Sequence, residues 1–136
     1  AALAQSVDIA PTLTELCGLP SHSGFQGRSL KPVLDDPTAR VNEAAFSWYP
    51  KSGWLGVTMR TDEWRMVEWT KAGEKPVREL YDIRKDMQND ENLSAQTEHA
   101  PLIEKLSTEM RQRFPVQDFR EPAPVAKGRK GRKAAK

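Results

Sequence analysis

The stretch from Leu55 to Thr70 limits the possible folds more than any other part of this sequence. Leu55, Val57 and Met59 alternate with Gly56, Thr58 and Arg60, the period of a strand with one apolar face. A tight turn is expected at Thr61-Asp62, although it lacks the Asn-Gly or Asp-Gly signature. The returning run, Glu63 to Thr70, is apolar in both phases: Trp64 and Met66 in one, Val67 and Trp69 in the other. A strand with one face in water alternates cleanly, so this one needs neighbours on both faces. The hairpin therefore belongs inside a sheet that is covered on two sides.

The surrounding sequence supplies the rest of that sheet. Ala44 to Tyr49 reads as a strand ended by Pro50, and Arg78 to Ile83 as a fourth strand after the turn Lys71 to Pro76. Upstream, Val7 to Cys17 reads as a short helix with Asp8 as N-cap. Val7, Ala10, Leu13 and Leu16 form its apolar face, and Gly18 and Pro20 stop it. Leu30, Val33 and Leu34 suit one helical turn before Asp35-Asp36-Pro37. A closing helix runs from about Glu98 to Phe114, with Pro101 in its first turn and Leu102, Ile103, Leu106, Met110 and Phe114 as its stripe. The simplest packing is α+β: a small four-stranded antiparallel sheet with the C-terminal helix on one face.

Charge locates the boundary of the ordered part. Of 136 residues, 21 are Lys or Arg and 19 Asp or Glu, a net charge of +2. Six of the bases lie in the last ten residues, KGRKGRKAAK, and without them the balance is −4. The basic character is thus confined to a tail, expected to be disordered after Asp118. Such a tail could bind a nucleic acid or a sulfated glycan through charge alone, or simply keep the chain soluble. The body shows no nucleic-acid fold, so a nucleic-acid partner is not favoured. The single cysteine, Cys17, excludes an internal disulfide. No apolar run approaches the roughly 20 residues a membrane helix needs. The start, AALAQS, has no signal-peptide pattern and fits a piece of a longer chain.

Five segments, in order, resemble the C-terminal region of sulfatases, most closely the iduronate-2-sulfatase type. They are VDIAPTLTELCGLP (7–20), GRSLKPVL (27–34), AAFSWYPK (44–51), VTMRTDEWRMVEW (57–69) and ELYDIRKD (79–86). The resemblance implies three parts: residues 1–43 ending a large alkaline-phosphatase-like α/β domain, 44–118 forming a sheet-plus-helix subdomain, and 119–136 a basic tail. It also implies a sulfuric ester hydrolase as parent, acting on sulfated carbohydrate in a periplasmic, secreted or lysosomal setting. Its formylglycine and calcium would both lie outside this chain, in an N-terminal sulfatase domain that is the expected partner. The family's nucleophile arises in C-x-P-S-R. Here Cys17 opens C-G-L-P-S-H, so no catalytic residue carries over, and this chain alone is expected to be inactive. The alternative is a stand-alone interaction module with a polyanion-binding tail.

Three residues are substrate-contact candidates: Lys51, Trp54 and Arg60. Lys51 and Trp54 flank Ser52-Gly53, and an exposed cation beside an exposed indole suits a sulfated or carboxylated sugar. The family's loop after the Tyr-Pro-basic corner lies towards the active-site rim. For Arg60 two roles compete, a buried structural ion pair and an anion contact. Trp64 and Trp69 are expected in a small core and a domain interface rather than a sugar platform. Cys17 is expected as a buried, inert thiol. Asp82, Asp86 and Asp90 read as a solvated turn, lacking the spacing of a calcium loop. His22 and His99 read as surface or capping residues, and no metal site is expected.

Overall fold

The structure, a computed structural model, describes residues 2–113. Phe114 and the tail 119–136 lie outside the described residues. Four strands form one antiparallel sheet in chain order: β1 (Ala45–Lys51), β2 (Trp54–Arg60), β3 (Trp64–Thr70) and β4 (Val77–Asp82). Three helices accompany it: α1 (Ile9–Leu16), α2 (Lys31–Asp35) and α3 (Ala100–Arg113). The four strands and closing helix expected from the sequence are all present.

Strand β1 runs through Pro50 to Lys51 rather than stopping before the proline. The register explains why. Lys51 faces Trp54 across a two-residue turn in which Ser52 and Gly53 both have positive φ, 53° and 79°. Residues flanking such a turn are the hydrogen-bonded pair, so Pro50, opposite Leu55, would have pointed its N–H away from the sheet. On an edge strand that missing donor costs nothing. The second turn is centred one residue later than expected, on Asp62-Glu63. Thr61 N–H donates to the Trp64 carbonyl at 2.8 Å, and the Thr61 hydroxyl accepts from Trp64 N–H at 3.0 Å.

Register divides the sheet into two faces. Met59, Met66 and Leu80 are partners across three strands and bury on one face with Val57. Helix α3 covers this face with Ile103, Leu106 and Met110, and Phe46, Leu55, Trp64, Leu93 and Leu102 pack at its margins. The opposite face carries Tyr49, Thr58, Arg60, Arg65, Val67, Trp69, Glu79 and Tyr81, by strict alternation. Helix α1 packs on α2 and on the Ser6–Asp8 turn.

Helix α1 differs from its sequence reading in what it buries. Its inward residues are Asp8, Pro11 and Thr12, while Val7, Leu13 and Leu16 are exposed, as is Cys17. The expected core thiol is thus a surface thiol in this chain. Nothing among the described residues covers the apolar side of α1, and its anchoring is polar. Asp8 does not cap α1 with its side chain; its carboxylate accepts from Gln5 N–H at 2.9 Å, Arg28 N–H at 2.9 Å and Asn42 Nδ2 at 2.8 Å. The Thr12 hydroxyl donates to the Asp8 carbonyl and accepts from Leu30 N–H at 2.8 Å. Gly27 makes this junction possible, since a Cβ there would stand 2.1 Å from the Val7 carbonyl oxygen. The junction reaches the sheet through Gln5, whose Oε1 accepts from Phe46 N–H at 2.9 Å.

Candidate functional site

Lys51 and Trp54 come together. They are register partners closing the β1–β2 turn, and both side chains belong to the face that α3 leaves uncovered. Lys51 is exposed, as expected. Trp54 is half-buried rather than exposed, because Lys71 lies over its indole, with Nζ 5.5 Å from the ring centroid. This cation–π contact occupies one face of the ring. Lys71 was not picked out from sequence. Its signal is positional: Leu55 pairs with Thr70, so the next residue out on each strand brings Trp54 beside Lys71.

Arg60 does not join this cluster. It lies on the same face but at the far end of β2, six residues along, or about 20 Å in an extended strand. It is exposed and forms no ion pair among the described residues, so the buried-pair reading does not hold within this chain. The buried ionic role belongs instead to Glu68, which sequence reasoning passed over. Glu68 lies on the α3 side and is 3% exposed. It accepts from Arg78 Nε at 2.8 Å, Ser107 Oγ at 2.6 Å and Arg111 Nε at 3.1 Å. Burial alone would raise its pKa, but the hydrogen bonds from Ser107 and Arg78 and the charge of Arg111 together hold it below the ordinary glutamate value. The available signal was a charge within a strand apolar in both phases, facing a serine and an arginine one turn apart on α3.

The uncovered face has its own polar core. Trp69 Nε1 donates to Glu79 Oε1 at 3.0 Å, and the Tyr81 hydroxyl donates to Glu79 Oε2 at 2.9 Å. Burial and this bond to Glu79 raise the Tyr81 pKa. Trp64, by contrast, packs at the core margin against His99, ring centroids 5.5 Å apart, with the Arg84 guanidinium 5.5 Å from its centroid. His99 is therefore a packing residue, while His22 Nδ1 accepts from Gly24 N–H at 3.0 Å. Asp82 is buried, not solvated. Arg84 holds it in a bidentate pair at 3.0 Å on each oxygen, and this lowers its pKa. Asp86 ends the turn by accepting from Glu91 N–H at 2.9 Å.

A cleft of about 620 Å³ opens on the α3 side, lined by Arg28, Asn42, Phe46, Lys105, Glu109 and Arg113 among others. It holds no nucleophile paired with a base. Among the described residues no three His, Cys, Asp or Glu side chains converge. Cys17 has neither the C-x-P-S-R context nor a basic partner.

A family model described as "N-sulphoglucosamine sulphohydrolase, C-terminal" matches residues 1–115. No curated protein matches the chain. Among solved structures, BT4656 in complex with its substrate D-glucosamine-2-N,6-O-disulfate is similar at 23% identity and TM-score 0.62, covering 82% of this chain and 25% of that one. The phosphonate monoester hydrolase of Agrobacterium radiobacter is similar at 22% identity and TM-score 0.61, with the same 82% and 25% coverage. At these identities the likeness establishes the fold alone. The chain spans about a quarter of the length of either structure.

Proposed function

The chain belongs to the N-sulphoglucosamine sulphohydrolase C-terminal family, a sulfatase family, and from that premise we propose that it completes a sulfatase whose catalytic centre lies in an N-terminal portion. The parent hydrolyses the sulfate of a sulfated carbohydrate. The observation that carries this reading is the family match over residues 1–115. Fold alone does not choose the reaction, since a phosphonate monoester hydrolase shares it equally well. The neighbour with a disulfated glucosamine as its substrate makes a sulfated amino sugar the first compound to test. The iduronate-2-sulfatase-like motifs make sulfated iduronate the second.

The role of this chain in the parent is twofold. First, α1 and the uncovered sheet face supply surfaces that the N-terminal portion covers; Leu13 and Leu16 on α1 are 56% and 50% exposed here. Second, Lys51, Trp54 and Lys71 form a cationic and aromatic corner for the negatively charged rim of a substrate, whereas Arg60 lies at the far end of β2 and is not assigned to that corner. Formylglycine and calcium, where the parent uses them, would belong to the N-terminal portion. The isolated chain is inactive on this reading.

The test is an assay of the full-length parent against sulfated glucosamine, sulfated iduronate and an aryl phosphonate monoester, with this chain alone in parallel. Sulfate release by the parent and none by the chain is expected. Phosphonate ester cleavage without sulfate release overturns the proposal.

A further inference from the structure

On the uncovered sheet face Arg60 and Arg65 are register partners, side by side on adjacent antiparallel strands. Like charges placed directly opposite each other destabilise a sheet unless an anion lies between them. The carboxylates of the hairpin turn and Glu79 on β4 are engaged elsewhere. Asp62 pairs with Arg40 at 2.5 Å, Glu63 with Arg84 at 3.0 Å, and Glu79 takes the hydrogen bonds of Trp69 and Tyr81. Neither Arg60 nor Arg65 has an ion pair among the described residues. Their register neighbours are Ala45, too small to shield them, and Tyr81. On the same face Tyr49 is exposed and Trp69 and Tyr81 are half-buried, and Tyr, Trp and Arg are the side chains enriched at the centres of protein interfaces. The face is a sheet surface and the 620 Å³ cleft opens on its other side, so it suits a protein contact better than an enclosed small ligand.

We propose that the Arg60–Arg65 pair receives a carboxylate from the N-terminal portion of the parent, and that this sheet face is the surface which that portion covers. The inference rests on the reading of the chain as the C-terminal part of a longer enzyme. The similar structures supply room for it, since about three quarters of each lies outside the part this chain matches. A carboxylate between two guanidiniums accepts paired N–H donors from both, and exclusion of water by the docked surface strengthens those bonds.

The test uses the full-length parent. In the wild-type protein, Arg60 is exposed on this chain but covered by docking. Its modification by phenylglyoxal is expected to be at least about ten-fold slower in the native parent than after unfolding. In Arg60→Lys/Arg65→Lys, a zero-length carbodiimide cross-linker is expected to join the introduced lysines to an Asp or Glu of the N-terminal portion. Rapid modification of Arg60 in the native parent overturns the proposal. So does a cross-link that joins only two copies of the parent, or protection of Arg60 that appears only when a sulfated saccharide is added. The same preparation is assayed for sulfate release. A docked but inactive parent leaves this inference standing and removes the proposed function; an active parent with a reactive Arg60 does the reverse.

Discussion

Trp69 lays its indole across Gly56, its register partner on β2, so closely that a Cβ on Gly56 would stand 2.6 Å from the ring. The glycine is a seat for the ring, and the position of the ring lets Nε1 reach Glu79. Gly56→Ala forces the indole off this seat and breaks that bond. Overpacking of this kind costs about 1–3 kcal/mol. Denaturant unfolding of the variant should show that loss, with a changed tryptophan emission in the folded state; an unchanged midpoint refutes the account.

Glu68 should be the most sensitive charged position in the sheet. Removing it takes a buried acceptor from Arg78, Arg111 and Ser107, and a hydrogen bond to a charged group is worth about 1.5–3 kcal/mol. Glu68→Ala should approach that range, measured by urea denaturation at neutral pH.

Acid stability follows from the same group. Glu68 titrates lower in the folded chain than in the unfolded one, because the bonds from Ser107, Arg78 and Arg111 outweigh its burial. Its contribution is therefore complete above the ordinary glutamate value and is lost as pH falls through the depressed folded value. Asp82, lowered by Arg84, acts in the same direction. Melting temperature should fall with acidification through this window, and Glu68→Gln should flatten that fall. A Glu68→Gln profile parallel to wild type would count against the linkage.

Asp8 holds three separate strands of polypeptide through its carboxylate. Asp8→Ala takes the acceptor from the Gln5 and Arg28 amides and from Asn42 Nδ2, which keeps only the Leu3 carbonyl, at a site with no exposure. Unsatisfied buried donors cost about 1–3 kcal/mol each, less whatever water recovers. A loss of roughly 3 kcal/mol is expected, with faster amide exchange over residues 5–12 and 27–30. Exchange that speeds up evenly across the whole chain would mean the junction is not held locally.

The Lys51 corner is tested by kinetics of the parent. Lys51→Ala and Trp54→Ala should raise KM for a sulfated sugar several-fold, leaving kcat within about two-fold, since neither side chain touches a reacting centre. A drop in kcat at constant KM would remove both from the substrate rim.

How much was legible depends on how far each feature reaches along the chain. The faces of β2 and β3, the α3 stripe and the Gly18 stop follow from local periodicity and the chemistry of helix ends, which residues within a turn or a strand decide. A loop at Ser52-Gly53 was visible, but that it is a two-residue turn, with β1 continuing through Pro50 to Lys51, needed the register. The pairing of Lys51 with Trp54 was also visible, because only two residues separate them. Asp8 and Glu68 were not recognised as centres of polar networks. Their partners Asn42 and Arg111 lie 34 and 43 residues away, and no local pattern connects them.

Cys17 and Arg60 show the other boundary. Cys17 was expected to be buried, and Arg60 was left between a buried ion pair and an anion contact; both are exposed in the folded chain. Periodicity reports that a face is suited to burial, not what buries it. The amino-acid order alone determined the α+β class, the two-faced hairpin and the sulfatase likeness, because these rest on spacing. Tertiary structure alone decided that one face is closed by α3 and the other left open, with Arg60 beside Arg65 upon it, because burial is a property of what packs against a surface.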